Sequence, residues 1–448
     1  MKQLIRGENM QSIKNSKPKS ILETDFYQLT MAYAYLMTNE MARDRTGFES
    51  FVRQIKGDIT TENYYIFNAE KEVRDFIDNI KKEIREPDFF DRYWDIIKDK
   101  VDQRTYNKAK KEFNKLYKFF TFSVLENGSK VKPFVPVFQY NGPRFFGQLL
   151  ETPITNIING RVGLKSQKKD SVISLFNEND KQYIQKIKKR AKEYRRSTSK
   201  IILEAGYRRA PSFYVAKKAS MAAIQANWDG TSNTSIYKDI DSSLIGGSMA
   251  HAYVMSFEKN GKTNEVEAFK SWDKLFPKST MLIDTYNVSR AIDILIQNNI
   301  KPAAVRIDSE PIEDYVYLVR QKLDNANWSD VKIFISGDIT PEKLKYWEEK
   351  DLPFDMCMAG THYVNIDTAK HINPGFVYKI VEFSKNGNIE YPEKKSTAKG
   401  NYPGLKTVYF NKKNNKIIVS VKRDSCGFKG DSFKKINKKT EVIFDRLS

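Results

Sequence analysis

The fold is decided by residues 303–338, which read AAVRIDSEPIEDYVYLVRQKLDNANWSDVKIFISGD. Two short apolar runs, 303–307 and 331–335, enclose a segment with the apolar spacing of an amphipathic helix. Short apolar runs predict buried strands, and a helical pattern between two of them predicts a crossover connection. We therefore expect two parallel strands joined by a helix at 312–323.

The same alternation of strand and helix continues on both sides of this stretch. The further predicted elements are strand 280–284, helix 288–298, helix 341–349 and strand 354–358. Helices that alternate with parallel strands cover the faces of the sheet that those strands form. This pattern predicts an α/β fold in the middle of the chain.

Polar clusters follow all four predicted strands. They are Asp284-Thr285-Tyr286, Arg306-Ile307-Asp308-Ser309, Ser336-Gly337-Asp338 and Ala359-Gly360-Thr361. Ligands of α/β folds bind at the carboxyl ends of the strands, so four such clusters on one edge favour a binding site. The alternative is that these residues only cap the helices that follow, which for a single cluster is an equally good interpretation.

The third cluster predicts a phosphate site. Ser336-Gly337-Asp338 leads into a helix with Thr340 as its predicted cap and Pro341 as its first residue. Free amides at a helix N-terminus, next to a glycine that allows close approach, bind phosphate. Gly360 and Thr361 are expected to supply a second set of amides and a hydroxyl.

Composition limits the class of protein. The 448 residues carry 76 Lys and Arg against 56 Asp and Glu, a net charge of +20. This charge suits nucleic acid, small polyanions or simply a lysine-rich surface. Two cysteines, Cys357 and Cys426, are too few for a disulfide framework, and no apolar run is long enough to cross a membrane, so we expect a cytoplasmic protein.

Motifs in several separate places resemble those of the nicotinate phosphoribosyltransferases. They occur in that family's order over about residues 22–410. Besides the strand-end clusters they are Thr24-Asp25-Phe26-Tyr27-Gln28-Leu29-Thr30-Met31, Glu49-Ser50-Phe51-Val52-Arg53, Glu204-Ala205-Gly206-Tyr207-Arg208-Arg209-Ala210, Asp229-Gly230-Thr231-Ser232-Asn233, Gly247-Ser248-Met249-Ala250-His251 and Pro403-Gly404-Leu405-Lys406. Each motif alone is weak, but the ordered set is specific.

The resemblance implies a fold, a reaction and an assembly. The fold would be an irregular α/β barrel with a flanking α+β domain formed from both chain ends. The reaction would join nicotinate to phosphoribosyl pyrophosphate, with coupled ATP hydrolysis and Mg²⁺, in the salvage synthesis of NAD. The enzyme would be a homodimer, with Tyr27 contributed across the interface.

A division into domains follows from the same reading. We expect a flexible basic arm at 1–20, an α+β domain at 21–145 and the barrel at 146–385, with a basic insertion at about 170–200. The last segment, 386–448, is expected to be β-rich and basic and to pack on the N-terminal domain.

The resemblance also implies site residues. His251 would be the phosphorylated histidine, with Arg306 and Asp308 as catalytic partners; Asp308 could also contact the Mg²⁺ carried by pyrophosphate. The implied substrate-binding residues are Tyr27, Arg208, Ser232 and Asp284, and the implied phosphate-binding residues are Ser336, Gly337, Asp338, Gly360 and Thr361. The nicotinamide-using relatives have a carboxylate at the position of Ser232, which would repel the carboxylate of nicotinate. The neutral Ser232 would tolerate it.

The sequence departs from the family at three places. Glu310 and Pro311 replace the usual glycine and aspartate, which could alter ribose or metal contacts, and Met358 replaces the first glycine of the second phosphate loop. Ala205 replaces an aromatic that would stack on the pyridine ring, and Tyr207 or a nearby side chain could compensate for it.

Two alternatives to the nicotinate enzyme remain. One is a nicotinamide phosphoribosyltransferase. The other is a degenerate relative that binds nucleic acid or protein through its basic runs; these lack the interleaved aromatics of a single-strand platform, so nucleic acid is the least favoured partner.

Overall fold

A computed structural model describes residues 17–38, 41–53, 64–66, 68–129, 131–164, 181–259, 262–366, 375–385, 388–392, 403–411, 416–421 and 440–443. The predicted arm, apart from its last four residues (17–20), and the first part of the predicted basic insertion lie outside these ranges.

A six-stranded parallel sheet forms the centre of the fold. Its strands, in spatial order, are Gly230–Thr231, Ile201–Glu204, Met356–Ala359, Lys332–Ser336, Ala304–Ile307 and Thr280–Leu282. Every neighbouring pair is parallel. The sheet is curled into an open half-barrel, which confirms the predicted α/β class.

The predicted crossover helices are present with nearly the predicted bounds. They are Val288–Gln297, Ile312–Asn325 and Pro341–Glu349. The Thr340 hydroxyl accepts the amide of Lys343, and Pro341 occupies the first turn, as the sequence indicates. Apolar residues on the inner faces of these helices, such as Ile292, Val316 and Leu344, pack on the sheet and form its core.

A five-stranded antiparallel sheet flanks the half-barrel. Its strands, in spatial order, are Asn388–Glu390, Val377–Lys385, Arg45–Phe51, Phe138–Pro143 and Thr121–Val124. The strand Val377–Lys385, from the second half of the chain, pairs with Arg45–Phe51 near its start. The predicted flanking domain formed from both chain ends is thereby confirmed, while the domain boundaries stay a prediction.

The remaining elements surround these two sheets. The other strands are Tyr64–Ile66 with Val162–Leu164, and Lys406–Asn411 with Lys416–Val421 and Thr440–Ile443. The other α-helices are Phe26–Met37, Ala69–Glu83, Phe89–Ile97, Tyr106–Asn114, Arg144–Leu149, Glu151–Asn159, Lys181–Arg196, Phe213–Gln225, His251–Met255, Glu265–Leu275 and Thr361–Val364.

One buried ion pair fastens the segment 403–406 to the antiparallel sheet. Lys406 Nζ lies 2.5 Å from Glu49 Oε2, and these side chains are only 5% and 0% exposed. The amide of Lys406 also donates to Glu49 Oε1 at 3.0 Å, and Nζ donates to the carbonyl of Gly404 at 2.9 Å. The pair therefore satisfies both charges inside the protein, which buried charges require.

A second buried acid has no such partner. Glu265 is 3% exposed, and neither of its carboxylate oxygens has a hydrogen-bond partner among the described residues. Burial raises the pKa of this carboxyl from its ordinary value of 4.5 to about 7, against the attraction of Arg290. The folded protein thus favours the neutral form of Glu265.

Replacing Lys406 by Met should lower the free energy of unfolding by about 3–5 kcal/mol, because the Glu49 charge would remain buried without its partner. Urea denaturation followed by circular dichroism measures this. The matched control is Lys301→Met, which removes one partner of the exposed pair with Asp330 and should cost less than about 1 kcal/mol. Equal losses in the two variants would contradict the role of the buried pair.

Replacing Glu265 by Gln should stabilise the protein at pH 8 but not at pH 4.5. The unfolded chain ionises Glu265 near pH 4.5 and the folded chain only near pH 7, so stability falls as pH rises through this interval. Each pKa unit corresponds to about 1.4 kcal/mol, which sets an upper limit of about 3 kcal/mol on the gain above pH 7. Thermal unfolding at several pH values tests this, with the exposed Glu267→Gln on the same helix as control; a gain independent of pH would refute it.

Candidate active site

The Asp308 carboxylate lies at the carboxyl edge of the parallel sheet, directly after the strand Ala304–Ile307. Ser336, at the end of the neighbouring strand, donates its hydroxyl to Asp308 Oδ1 at 2.8 Å. His251 Nε2 lies 3.8 Å from Asp308 Oδ2. Three side chains that the sequence assigned to one site are therefore in direct proximity.

The His251 imidazole is oriented on both sides. It is 8% exposed and begins the short helix His251–Met255. Its Nδ1 lies 3.2 Å from the hydroxyl of Thr285, while its Nε2 faces Asp308. A neutral imidazole has one nitrogen with a lone pair, so the ring can act as a nucleophile or as a base in this position.

Arg306 and Asp284 lie in the same part of the rim, the name used here for the carboxyl edge of the parallel sheet. Arg306 Nη2 donates to the carbonyl of Met249 at 3.0 Å and so holds the loop that leads to His251. Asp284 accepts the hydroxyl of Ser309. Arg306 Nε and Asp284 Oδ1 are buried without hydrogen-bond partners among the described residues. Unpaired buried polar atoms are costly and are rare outside functional or strained sites.

Glycines bring the two predicted phosphate loops close to their neighbours. Gly337 has φ of +100°, and a Cβ there would lie 3.0 Å from the Asp308 carbonyl oxygen. A Cβ on Gly360 would lie 2.8 Å from the carbonyl oxygen of Ala205. Both approaches are tighter than a side chain normally allows, so glycine is required at each position. The two loops follow the neighbouring parallel strands Lys332–Ser336 and Met356–Ala359, so they lie side by side at the carboxyl edge of the sheet.

Tyr27 and Arg208 form a pair at the other end of the rim. Arg208 Nη1 donates to the Tyr27 hydroxyl at 3.0 Å and also to Glu151. Burial alone would lower the pKa of Arg208, but the neighbouring Tyr27 and Glu151 raise it above its ordinary value. The Arg208 side chain is 36% exposed, and these bonds use one of its three nitrogens, so its guanidinium keeps capacity for a ligand.

Ser232 is engaged by a buried acid. Its hydroxyl donates to Asp25 Oδ1 at 2.7 Å, and Thr152 donates to Asp25 Oδ2 at 2.6 Å. Burial raises the pKa of Asp25, since the carboxylate is withdrawn from water. The Ser232 side chain therefore faces Asp25, directly before Phe26 and Tyr27, and positions the segment that carries Tyr27.

Tyr207 does not replace the missing aromatic at position 205. Its ring is fully buried against Phe213, and its hydroxyl donates to the carbonyl of Glu23 at 3.1 Å. An aromatic ring held in the core by packing and a hydroxyl partner cannot also stack on a ligand at the rim. The expectation that Tyr207 compensates for Ala205 is wrong.

Glu310 has a local structural use. Its carboxylate accepts the amide of Ile312 at 3.0 Å and pairs with Lys343 at 3.1 Å. It thereby supports the start of the helix Ile312–Asn325. The two residues that differ from the family pattern, Glu310 and Pro311, therefore lie at the start of this helix. They directly follow Asp308 and Ser309 in sequence.

Two further residues near the rim, Glu204 and Arg53, were not predicted from the sequence to have a role. Glu204 is fully buried and accepts the hydroxyls of Ser220 and Thr231 at 2.7 and 2.6 Å as well as the amide of Gly206. Burial lowers the pKa of Arg53 to about 10, against the attraction of Asp308, which shows that Arg53 also lies near the rim. Glu204 stands at the carboxyl end of the strand Ile201–Glu204. It would have been predicted as a site residue if this strand had been recognised in the sequence.

The described residues contain no cluster of three or more His, Cys, Asp or Glu side chains that could hold a metal ion. Within the same ranges, no helix is both long and apolar enough to cross a membrane.

Curated proteins with similar sequences carry the name nicotinate phosphoribosyltransferase. No family model matches the chain. The chain is 25% identical over 398 residues to nicotinate phosphoribosyltransferase pncB2 of Mycobacterium tuberculosis, covering 87% of this chain and 75% of the relative. It is 24% identical over 404 residues to nicotinate phosphoribosyltransferase of Bacillus subtilis, covering 87% and 72%.

Solved structures with the same name share the fold. The nicotinate phosphoribosyltransferase of Porphyromonas gingivalis has a TM-score of 0.62 at 17% identity, covering 86% of this chain and 96% of the other. That of Vibrio cholerae has a TM-score of 0.63 at 15% identity, covering 86% and 90%. Over most of its length the chain is therefore similar in sequence to proteins named nicotinate phosphoribosyltransferase, and it shares the fold of solved structures of that name.

Proposed function

We propose that this protein is a nicotinate phosphoribosyltransferase, which forms nicotinate mononucleotide and pyrophosphate from nicotinate and phosphoribosyl pyrophosphate. The observation that carries the proposal is the Asp308 carboxylate, held by Ser336 and facing His251, next to the glycine-containing loop of Gly337. The similarity to curated relatives of that name supports the choice of substrate.

The chemistry of the transfer fits these groups. The ribose carbon becomes cationic as the bond to pyrophosphate breaks and the bond to the pyridine nitrogen forms. A fixed carboxylate such as Asp308 can bind the ribose hydroxyls and stabilise that charge. The amides of the Gly337 and Gly360 loops would hold the 5′-phosphate and the pyrophosphate, so that both reactants are correctly oriented.

The base would bind between Tyr27 and Arg208. A tyrosine ring can stack on the pyridine, and a guanidinium can pair with the nicotinate carboxylate through two parallel hydrogen bonds. The hydroxyl of Ser232 is neutral, and both oxygens of the nearby Asp25 accept hydroxyls from Ser232 and Thr152. This arrangement supports nicotinate over nicotinamide, because Ser232 is neutral and the nearby carboxylates of Asp25 and Glu151 are each bonded to a donor of the protein.

We further propose that ATP phosphorylates His251. The ring contacts Thr285 through Nδ1 and faces Asp308 through Nε2. A phosphoryl group on the imidazole would lie at the same rim as the substrate, so its hydrolysis can be coupled to nucleotide formation. The Asp308 carboxylate can orient the ring and stabilise its protonated form.

Magnesium fits this site as a substrate-borne ion. The described residues offer no group of three metal-binding side chains, and Asp308 is a carboxylate at the rim that accepts the hydroxyl of Ser336. When bound to pyrophosphate, Mg²⁺ would neutralise the charge that develops on the leaving group. The protein would contribute Asp308 and the hydroxyl of Ser336.

Assembly and location are part of the same proposal. A homodimer is proposed, with Tyr27 contributed across the interface; within its own chain the Tyr27 hydroxyl accepts from Arg208. The salvage reaction would take place in the cytoplasm, the compartment expected for a chain with only two cysteines.

The purified protein should form nicotinate mononucleotide from nicotinate, phosphoribosyl pyrophosphate, Mg²⁺ and ATP. Product is measured by chromatography, with nicotinamide tested in parallel and ATP omitted in a second series. Nicotinate should be the preferred base. Absence of any nucleotide at saturating substrates would refute the proposal, and preferential use of nicotinamide would replace it with the amide-specific reaction.

Replacing His251 by Ala should abolish the stimulation by ATP and leave slow, ATP-independent transfer. Replacing Arg306 by Ala should reduce both reactions by on the order of 10²-fold, because it releases the Met249 loop and removes a cation from the rim. The ratio of rates with and without ATP is measured for each variant. A His251→Ala variant that keeps its full ATP stimulation would rule out the phosphohistidine.

A further inference from the structure

The basic helix Lys181–Arg196 has an inner face that reaches the active-site loops. Its buried residues are Tyr183, Ile187, Ala191 and Tyr194, while most of its lysines point to solvent. The charge of this helix suggested a polyanion surface, but the contacts of its inner face indicate a different role. Those contacts are made with the two loops that carry Gly337 and Gly360.

Tyr194 joins both loops through one hydroxyl. The residue is fully buried, and its hydroxyl donates to the carbonyl of Ile339 at 2.8 Å. The same oxygen lies 2.7 Å from Nδ1 of His362. Ile339 follows Gly337 and Asp338 in the first loop, and His362 follows Gly360 and Thr361 in the second. A single hydroxyl therefore fixes the distance between the two segments.

The two bonds also define the state of the His362 ring. A hydroxyl has one proton, and here it is given to Ile339, so Nδ1 of His362 must carry a proton to complete the second bond. Burial and the nearby Arg190 lower the pKa of His362, which keeps the ring neutral with its proton on Nδ1. The bridge is thus complete without adding a charge beside the phosphate loops.

Neighbouring residues of the helix hold the second loop at two more points. Arg190 Nη1 donates to the carbonyl of His362 at 2.7 Å and to that of Asn365 at 3.1 Å. The hydroxyl of Tyr183 donates to the carbonyl of Val364 at 2.6 Å. The short helix Thr361–Val364 is therefore anchored at its beginning and at its end.

We infer that Tyr194 is a positioning residue that sets the spacing of the two anion-binding loops, with Arg190 as its support. This inference rests on the proposed function, because it takes the ligands of the loops to be the phosphate groups of the substrate and product. Amides bind phosphate well only when several of them converge at the correct distance. Losing the bridge would let the loops move apart without removing any group that touches the ligand.

The test is pyrophosphate binding by isothermal titration calorimetry, using the full-length protein with Mg²⁺. Tyr194→Phe should bind pyrophosphate about tenfold more weakly than the wild type, the size expected for one lost hydrogen bond. The control is Tyr140→Phe, since Tyr140 is equally buried and donates to the carbonyl of Pro143 at 2.8 Å in the antiparallel sheet. Unchanged affinity of Tyr194→Phe, or no pyrophosphate binding by the wild type, would overturn the inference.

A second pair of variants separates position from charge and does not depend on the folding of Tyr194→Phe. Arg190→Gln and Arg196→Gln each remove one positive charge from the same helix, but Arg196 is exposed and lies on the outer face. Only Arg190→Gln should weaken pyrophosphate binding, by about tenfold, and the difference should persist at 0.5 M salt, about where screening removes surface effects. Equal losses that disappear in salt would show that charge alone acts.

The outcome is distinguishable from a failure of the proposed function. Pyrophosphate binding that depends on Tyr194, in a protein that forms no nucleotide, would keep the positioning role and reject the reaction. If the enzyme is active, Tyr194→Phe should raise the KM for phosphoribosyl pyrophosphate while leaving the KM for nicotinate unchanged. An equal rise of both KM values would indicate general destabilisation and refute the specific role of Tyr194.

Discussion

The register between two parallel strands determines the geometry of the candidate site. Ile307 pairs with Ile335, so the next residues, Asp308 and Ser336, leave the sheet side by side and the hydroxyl reaches the carboxylate. A shift of one residue would turn these side chains to opposite faces. The apolar packing of both strands against their crossover helices fixes this register, and the position of Asp308 depends on the core rather than on the site itself.

The net charge of +20 has little part in this geometry. The cations that matter are few and bind specific oxygens: Arg306 holds the Met249 carbonyl, Arg190 holds the second loop, and Lys406 pairs with Glu49. Most lysines of the helix Lys181–Arg196 are exposed and have small energetic effects at physiological salt. The location of a cation relative to buried oxygens is therefore more informative than the total charge.

The sequence was sufficient for the parts of the fold that depend on local pattern. Apolar runs predicted the strands ending before Asp308 and Gly337, and the Thr340 cap predicted the start of its helix. Contacts between distant segments were not predictable, because no local pattern encodes them. The Ser232–Asp25 bond joins residues 207 positions apart, and the Tyr194 bridge joins a helix to two later loops.

Two networks of buried hydrogen bonds fix the positions of rim residues. Near Arg208, the Glu204 carboxylate accepts the hydroxyls of Ser220 and Thr231. Asn233 donates to the same Ser220 hydroxyl at 3.0 Å. Asn233 is next in sequence to Ser232, whose partner is Asp25. In the other network, the hydroxyl of Tyr194 joins the loop of Gly337 to the loop of Gly360. Each of these networks is stable in one arrangement only, because any other arrangement would leave a buried polar group without a hydrogen bond, and this costs free energy. Substrate binding can then use amides and side chains that are already in position, and the energetic cost of ordering them is met when the protein folds.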